Sequence, residues 1–358
     1  MRFLDHVVDV FDSVFSDDFH CEVDAAYSSA MATMSVIDIA IAKFVGGIHW
    51  HGVFKIIQNI KSLSFEKYEG SSVKTGLLVF DGRGDFDYSR YGAEFISFSG
   101  LESKGIVLND AVMRDAAFYR YVDGYDSCYA CDVNGVVKGY YNIDASIMNS
   151  FDKITGQRVL SILEGERDAL FYIGINAFSD VEIFKSNKSR IVYRRGKWRI
   201  FDCSVIDKAV CGSAYDVEPW KCFYSLSKIR KGSVVLFTDR FDQIENEGFV
   251  KKHIDSGSGV FEAIRRSVKM CGIRVVADSG ELLRILTTDG MVVFSSDFSQ
   301  VLDINAIVDT SKAPTDEVGG GGRSTAAAAA SKYGVAVKVS EDGPVSIYRE
   351  GRCIYKVG

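Results

Sequence analysis

Two short stretches near the end of this chain combine residue types that suit phosphate chemistry. Thr288-Asp289-Gly290-Met291-Val292-Val293-Phe294 sets a carboxylate beside a glycine at the start of an apolar, strand-like run. Gly319-Gly320-Gly321-Gly322-Arg323-Ser324-Thr325 then places bare glycine amides and a cation ahead of an unbroken run from Ala326 to Ala330. Alanine is the strongest helix former, so Gly321, Gly322 and Arg323 are expected at a helix N-terminus. Unpaired N–H groups and the positive end of the helix dipole attract a phosphate there. Asp289 is the expected ligand of the Mg2+ or Mn2+ that accompanies such a phosphate. The competing readings are a flexible glycine-alanine linker and a plain turn carboxylate. Against the linker, Tyr333 to Ser340 resumes as a strand directly after the alanines.

In this order the residues resemble the diadenylate cyclase domain family, in particular the nucleotide-binding domain of the bacterial DNA-integrity scanning protein. The family carries an Asp-Gly-Ala motif at a strand start and, about thirty residues later, a Gly-Thr-Arg-His-Arg motif opening a helix. Asp289-Gly290-Met291 stands at the first and Gly321-Gly322-Arg323-Ser324-Thr325 at the second. The similarity extends through Val335 to Gly343 and Val345 to Arg352, and covers about residues 230 to 358. It implies an adenine nucleotide (ATP or a cyclic dinucleotide) held by Asp289, Gly290, Met291, Gly321, Gly322, Arg323, Ser324 and Thr325, with Asp289 and Arg323 catalytic if the chain is active. Met291 replaces the family's alanine, and Ser324 and Thr325 replace its histidine and second arginine. Those losses weigh on catalysis more than on binding, because one lost preorganised donor costs on the order of 100-fold in rate. The resemblance therefore implies a degenerate sensor first, a working cyclase joining two ATP second, and an interaction module without nucleotide third.

Holding such a site requires a sizeable core, and 358 residues, 47% apolar and 25% charged, provide one for about two domains. The net charge of −6 argues against broad phosphate neutralisation of the kind nucleic-acid binders use. Eight scattered cysteines and no recognisable secretory signal point to reduced thiols and a cytoplasmic protein. Asp38 and Lys43 interrupt the most apolar N-terminal stretch, where Met31, Met34, Ile37, Ile41 and Phe44 recur at helical spacing, so a buried helix is expected and no membrane span.

Landmarks recur along the chain in one order. Lys74 to Asp81 and Lys231 to Asp239 read as buried strands. Asp123-Gly124 and Asp289-Gly290 follow them, then turns at Asn134-Gly135 and Ser295-Ser296-Asp297 leading to further strands. Hairpins turning at glycine close each half, Ile191 to Trp198 and Ser346 to Cys353. The expected fold is α/β, a mixed sheet flanked by helices, in two diverged copies after a helical N-terminus: residues 1–54 helical, 55–205 a first copy without the basic motif, and 230–358 the nucleotide-binding copy. An intramolecular pseudo-dimer or a homo-oligomer is the expected assembly. In the first copy Phe151 to Arg158 occupies the place of the glycine-rich helix entry.

Three further features have ordinary explanations. Cys128 and Cys131 have the spacing of half a zinc site in a strand-like setting and read as structural. His49-Trp50-His51 reads as alternate strand positions. The basic stretch through Lys185, Lys188, Arg190, Arg194, Arg195, Lys197 and Arg199 reads as an exposed hairpin.

Overall fold

The computed structural model describes residue 3 and residues 5–9, 36–82, 93–98, 105–143, 150–166, 168–186, 189–210, 217–312 and 321–357. Residues Gly319 and Gly320, Met31 and Met34, Lys188, Cys21 and Cys211 lie outside them. Two compact units are present, one of residues 1–146 and 156–199 and one of residues 147–155 and 200–358.

In the first unit, helices α1 (Val36–Gly46) and α2 (Trp50–Leu63) pack together, and the expected boundary at residue 54 falls inside α2. The polar residue that interrupts the apolar stretch is buried and fully used. Asp38 accepts from Gln58 at 3.0 Å, Lys61 at 2.6 Å and the Trp198 indole at 2.5 Å. A buried carboxylate needs such partners. His49, Trp50 and His51 are helical, not strand; Trp50 and His51 stack with their ring centres 3.6 Å apart.

A two-stranded ribbon, β1 (Lys67–Tyr68) and β2 (Ser71–Ser72), precedes a nine-stranded sheet. Its strands are β3 (Thr75–Phe80), β4 (Ala93–Ser97), β5 (Ile106–Val107), β6 (Ser127–Asp132), β7 (Val136–Ile143), β8 (Ala169–Ile175), β9 (Val181–Ser186), β10 (Ser189–Arg194) and β11 (Lys197–Asp202). Helices α3 (Asp110–Arg114) and α4 (Ala116–Arg120) precede β6, and α5 (Gln157–Gly165) precedes β8. The order runs β4-β7-β6-β3-β8-β9-β10-β11, with β3 and β6 parallel and the other neighbours antiparallel. β3 is buried along its whole length, as its continuous apolar run requires.

The second unit contains helix α6 (Pro219–Lys228) and strands β12 (Ser233–Thr238), β13 (Val250–His253), β14 (Met291–Ser295), β15 (Val301–Val308), β16 (Val335–Val339), β17 (Val345–Arg349) and β18 (Arg352–Val357). Helices α7 (Gly259–Val268), α8 (Glu281–Leu286) and α9 (Gly322–Ala330) intervene. Ser258 caps α7, its hydroxyl accepting from the Phe261 amide, and α8 ends in a short turn that feeds β14. The order is β13-β15-β14-β12-β16-β17-β18, again with one parallel pair, β12 and β14. Both units are therefore mixed α/β sheets with helices.

Strand for strand the two sheets follow the same path. β3, β4, β6, β7, β8, β9 and β10 occupy in the first the places that β12 to β18 occupy in the second, in the same chain order and with the same pairing senses. Three of the four recurring landmarks fall on equivalent elements. The fourth does not: the hairpin closing at Glu350-Gly351 joins β17 and β18, whose counterparts are β9 and β10, whereas Ile191 to Trp198 lies one strand further along, in β10 and β11.

Of the basic stretch, Lys185, Arg195 and Lys197 are exposed as expected and Arg199 is half-buried, but Arg190 and Arg194 are internal. Arg194 is buried with its Nε 2.9 Å from Asp180, and Arg190 is buried with its guanidinium over the Phe184 ring, 4.5 Å from the centre, and donates to the Ser186 carbonyl. Cys128 and Cys131, three apart on β6, point to opposite faces of the sheet, and both thiols are buried with their pKa values pushed up by desolvation.

Candidate functional site

The site in the second unit begins with how α9 meets the sheet. Gly321 precedes the helix at φ +83°, ψ 165°, a conformation open to glycine. The Thr325 amide donates to the Gly321 carbonyl at 3.1 Å, which places the amides of Gly322 and Arg323 in the first turn, at the positive end of the helix. Ala327 to Ala330 are fully buried in one cluster with Val234, Leu236, Met291, Val293 and Ala336, bringing the helix onto β12, β14 and β16. Small side chains permit that close approach and cost no rotamer entropy.

The parallel pairing of Val234 with Met291 sets the starts of β12 and β14 side by side. Gly290 enters β14 at φ +88°, and a Cβ there would lie 2.6 Å from the Asn305 carbonyl carbon. The Thr288 hydroxyl fixes the same corner, contacting the Ile285 carbonyl at 2.7 Å and Asn305 Oδ1 at 3.0 Å. The Asp289 side chain is left exposed.

Arg323 connects these pieces. Its guanidinium lies against Gly232, just before β12, where an added Cβ would come within 2.5 Å of Nη1. Nη1 donates to Glu341 at 2.8 Å, and Nη2 lies 3.9 Å from Asp289 Oδ1. A cavity of about 270 Å³ opens between the strand starts and the helix N-terminus. Asp289, Gly290, Met291, Gly322 and Arg323 all line it, with Gly232, Val234, Ala306 and Val308 among the other walls.

The remaining expected site residues do not line this cavity. Gly321 caps the helix, and the Thr325 hydroxyl donates back to the Gly321 carbonyl at 3.2 Å. Ser324 is buried and accepts from Lys338 Nζ at 2.6 Å. Desolvation lowers the Lys338 pKa, and the Lys356 and Arg323 charges work in the same direction. Sequence reasoning passed over Lys338, Glu341 and Gly232. Lys231-Gly232 and the strand from Val335 were visible only as strand boundaries, and nothing local in them signals contact with Arg323 or Ser324.

Among the described residues no three His, Cys, Asp or Glu side chains are grouped to hold a metal ion. Mg2+ commonly binds through one or two carboxylates plus substrate phosphates. The exposed Asp289 at the cavity mouth suits that mode.

No family model matches the chain, and no curated protein matches it. Among solved structures, the crystal structure of a cysteine double mutant of DacA from Staphylococcus aureus is similar at 18% identity, over 37% of this chain and 79% of that one, with a TM-score of 0.26. At that score the likeness carries no argument about fold or function. No helix among the described residues is long and apolar enough to cross a membrane.

Proposed function

We propose that the second unit binds an adenine nucleotide or one half of a cyclic dinucleotide, as a sensor of the diadenylate cyclase type. The observation that supports this is the single cavity shared by Asp289-Gly290 and Gly322-Arg323. In it, phosphate would meet the first-turn amides of α9 and the Arg323 guanidinium, with Asp289 free to hold a Mg2+ or Mn2+ already bound to that phosphate. Its volume lies just under the range of about 300–1,000 Å³ usual for ligand pockets, room for part of one nucleotide. Joining two ATP molecules needs a second site brought face to face, through an intramolecular pseudo-dimer or a homo-oligomer.

Sensing is favoured over synthesis because Arg323 is the only cationic side chain lining the cavity among the described residues. Ser324 and Thr325 turn their hydroxyls to Lys338 and Gly321. In-line attack on an α-phosphate calls for several preorganised donors. The test is calorimetric titration of the purified protein with ATP and with cyclic di-AMP, alongside mass spectrometry after incubation with ATP and Mn2+. Binding that is weakened by Arg323→Ala, without detectable cyclic dinucleotide, supports the sensor. Synthesis abolished by Asp289→Asn would establish the cyclase instead. A melting temperature unmoved by millimolar nucleotide would leave the interaction module, since ligand at 100 times its Kd contributes about 2.7 kcal/mol.

A further inference from the structure

The shared strand path puts residues of the first unit in register with the site of the second. In the second unit Val234 pairs with Lys338 and Leu236 with Ala336 on the face covered by α9. In the first, Gly76 pairs with Gly174 and Leu78 with Tyr172. The Tyr172 ring stacks on Phe184, against which the N-cap of α5, Gly156, also packs. Tyr172 therefore stands where the second unit has Ala336.

Both halves of the phosphate site recur around it. Asp123-Gly124 leads into β6 as Asp289-Gly290 leads into β14, and the two glycines have φ +87° and +88°. Helix α5 starts after Gly156 at φ +70°, ψ 36°, directly behind a short helix at Ser150–Thr155, and α9 starts after Gly321 at φ +83°, ψ 165°; a glycine at positive φ precedes both. Arg158 is the second residue of α5 and Arg323 the second of α9. Arg158 thus takes the same position in its helix as Arg323 does in the second unit.

What the first unit changes is the space. Tyr172 is 1% exposed, and its hydroxyl donates to the Gly124 carbonyl at 2.6 Å. That hydroxyl lies 2.6 Å from where a Gly76 Cβ would be and 2.8 Å from a Gly124 Cβ, so both positions are bare where the phenol arrives. The Asp123 carboxylate accepts from the amides of Tyr125, Asp126 and Ser127 at 2.9, 2.9 and 3.1 Å, whereas Asp289 is exposed.

We infer that Tyr172 is a built-in plug that closes the first unit's counterpart of the cavity and limits the chain to one nucleotide. Removing it opens a second phosphate site, with Arg158 taking the part of Arg323 and the Asp123 carboxylate still held by its three amides. This extends the function proposed above to the number of ligands bound, and it rests on that reading for the ligand's identity.

The experiment compares wild type, Tyr172→Ala and Tyr172→Leu in the full chain, the leucine keeping apolar bulk against Phe184 while vacating the hydroxyl end. Calorimetry gives the number of ATP bound per chain, and melting temperature with p-cresol reports the opened cavity independently of nucleotide. Wild type should bind one ATP and ignore p-cresol; the variants should bind two ATP, gain several degrees with p-cresol, and return to one ATP when Arg158→Ala is added. If Tyr172→Ala does not fold, Tyr172→Leu decides. Variants that take p-cresol but stay at one ATP per chain refute the plug and leave the function of the second unit standing. A wild type that binds no ATP, with variants that bind one, refutes that function and keeps the plug. No binding by any of them overturns both.

Discussion

Arg323 has two carboxylates near it before any ligand arrives, and Glu341 is the closer, at 2.8 Å against 3.9 Å for Asp289. A phosphate that takes the guanidinium must break the Glu341 pair. Arg323 and Glu341 are 42% and 66% exposed, which makes theirs a surface ion pair, and such pairs contribute about 0.2–1 kcal/mol. Glu341→Gln removes that opposing term, so the Kd for ATP should fall by roughly 1.4- to 5-fold, with tenfold corresponding to about 1.4 kcal/mol. Isothermal titration at low salt is the assay. Asp342→Asn is the control, since it deletes the same charge from the exposed neighbouring position. The advantage of Glu341→Gln should shrink as salt rises toward 0.5 M, because exposed charges are screened over a few ångströms there. The melting temperature should hardly move, as surface changes usually stay within about 0.5 kcal/mol. An affinity that falls, or one that rises no more than in the control, refutes the idea that Glu341 holds Arg323 back from the ligand.

Asp289→Asn should tighten ATP binding in EDTA, by removing a like charge from the cavity mouth, and abolish the gain from added Mg2+; paired titrations check both. Gly290→Ala should destabilise the protein by at least about 1–2 kcal/mol in urea unfolding, because its φ of +88° disfavours an L residue and its Cβ would strike the Asn305 backbone. Asp303 is buried and accepts from Arg265 and His253, each at 2.8 Å. Burial alone would raise its pKa, but those hydrogen bonds outweigh it and hold the carboxyl below its usual value. A folded pKa below the unfolded one gives stability above about pH 4 that is lost as pH falls through the folded value. Asp303→Asn should therefore melt lower than wild type at pH 7, and the gap should narrow toward pH 3 in a melting series.

Features with a local cause were legible in the sequence. The strands from Lys74 and Lys231 and the helix through Ala326 to Ala330 follow from apolar runs and helix propensity that act over a few residues. The meeting of Asp289-Gly290 with Gly322-Arg323 was legible because each motif marks the end of an element, and element ends on one side of a sheet share a neighbourhood. Strand counting failed where hairpins succeed one another. Of the three connections between β8 and β11 only Arg195-Gly196 contains a glycine, so it resembles the Glu350-Gly351 turn of β17–β18 although it lies one strand further along. His49 and His51 were misread because two residues flanking a third fit a strand period as well as a helix start. Arg190 and Arg194 looked exposed because burial of a cation depends on partners such as Asp180 and Phe184, which only the folded register supplies. Tyr172 gave no signal of its role for the same reason: its opposite number, Ala336, lies on another sheet 164 positions along the chain.

The alanine run has a thermodynamic consequence. Ala327 to Ala330 are buried at four successive positions, which at 3.6 residues per turn means the helix is enclosed on every side. Alanine has no rotamers to freeze, so when a ligand settles against the N-terminus of α9 the helix body has almost no disorder left to surrender. The entropic cost of binding then falls on the exposed side chains of Arg323 and Asp289 and on the ligand itself. A pocket mounted on so rigid a support should show a small, nearly substitution-independent ordering penalty, so that differences in affinity among ligands follow from the contacts each one makes.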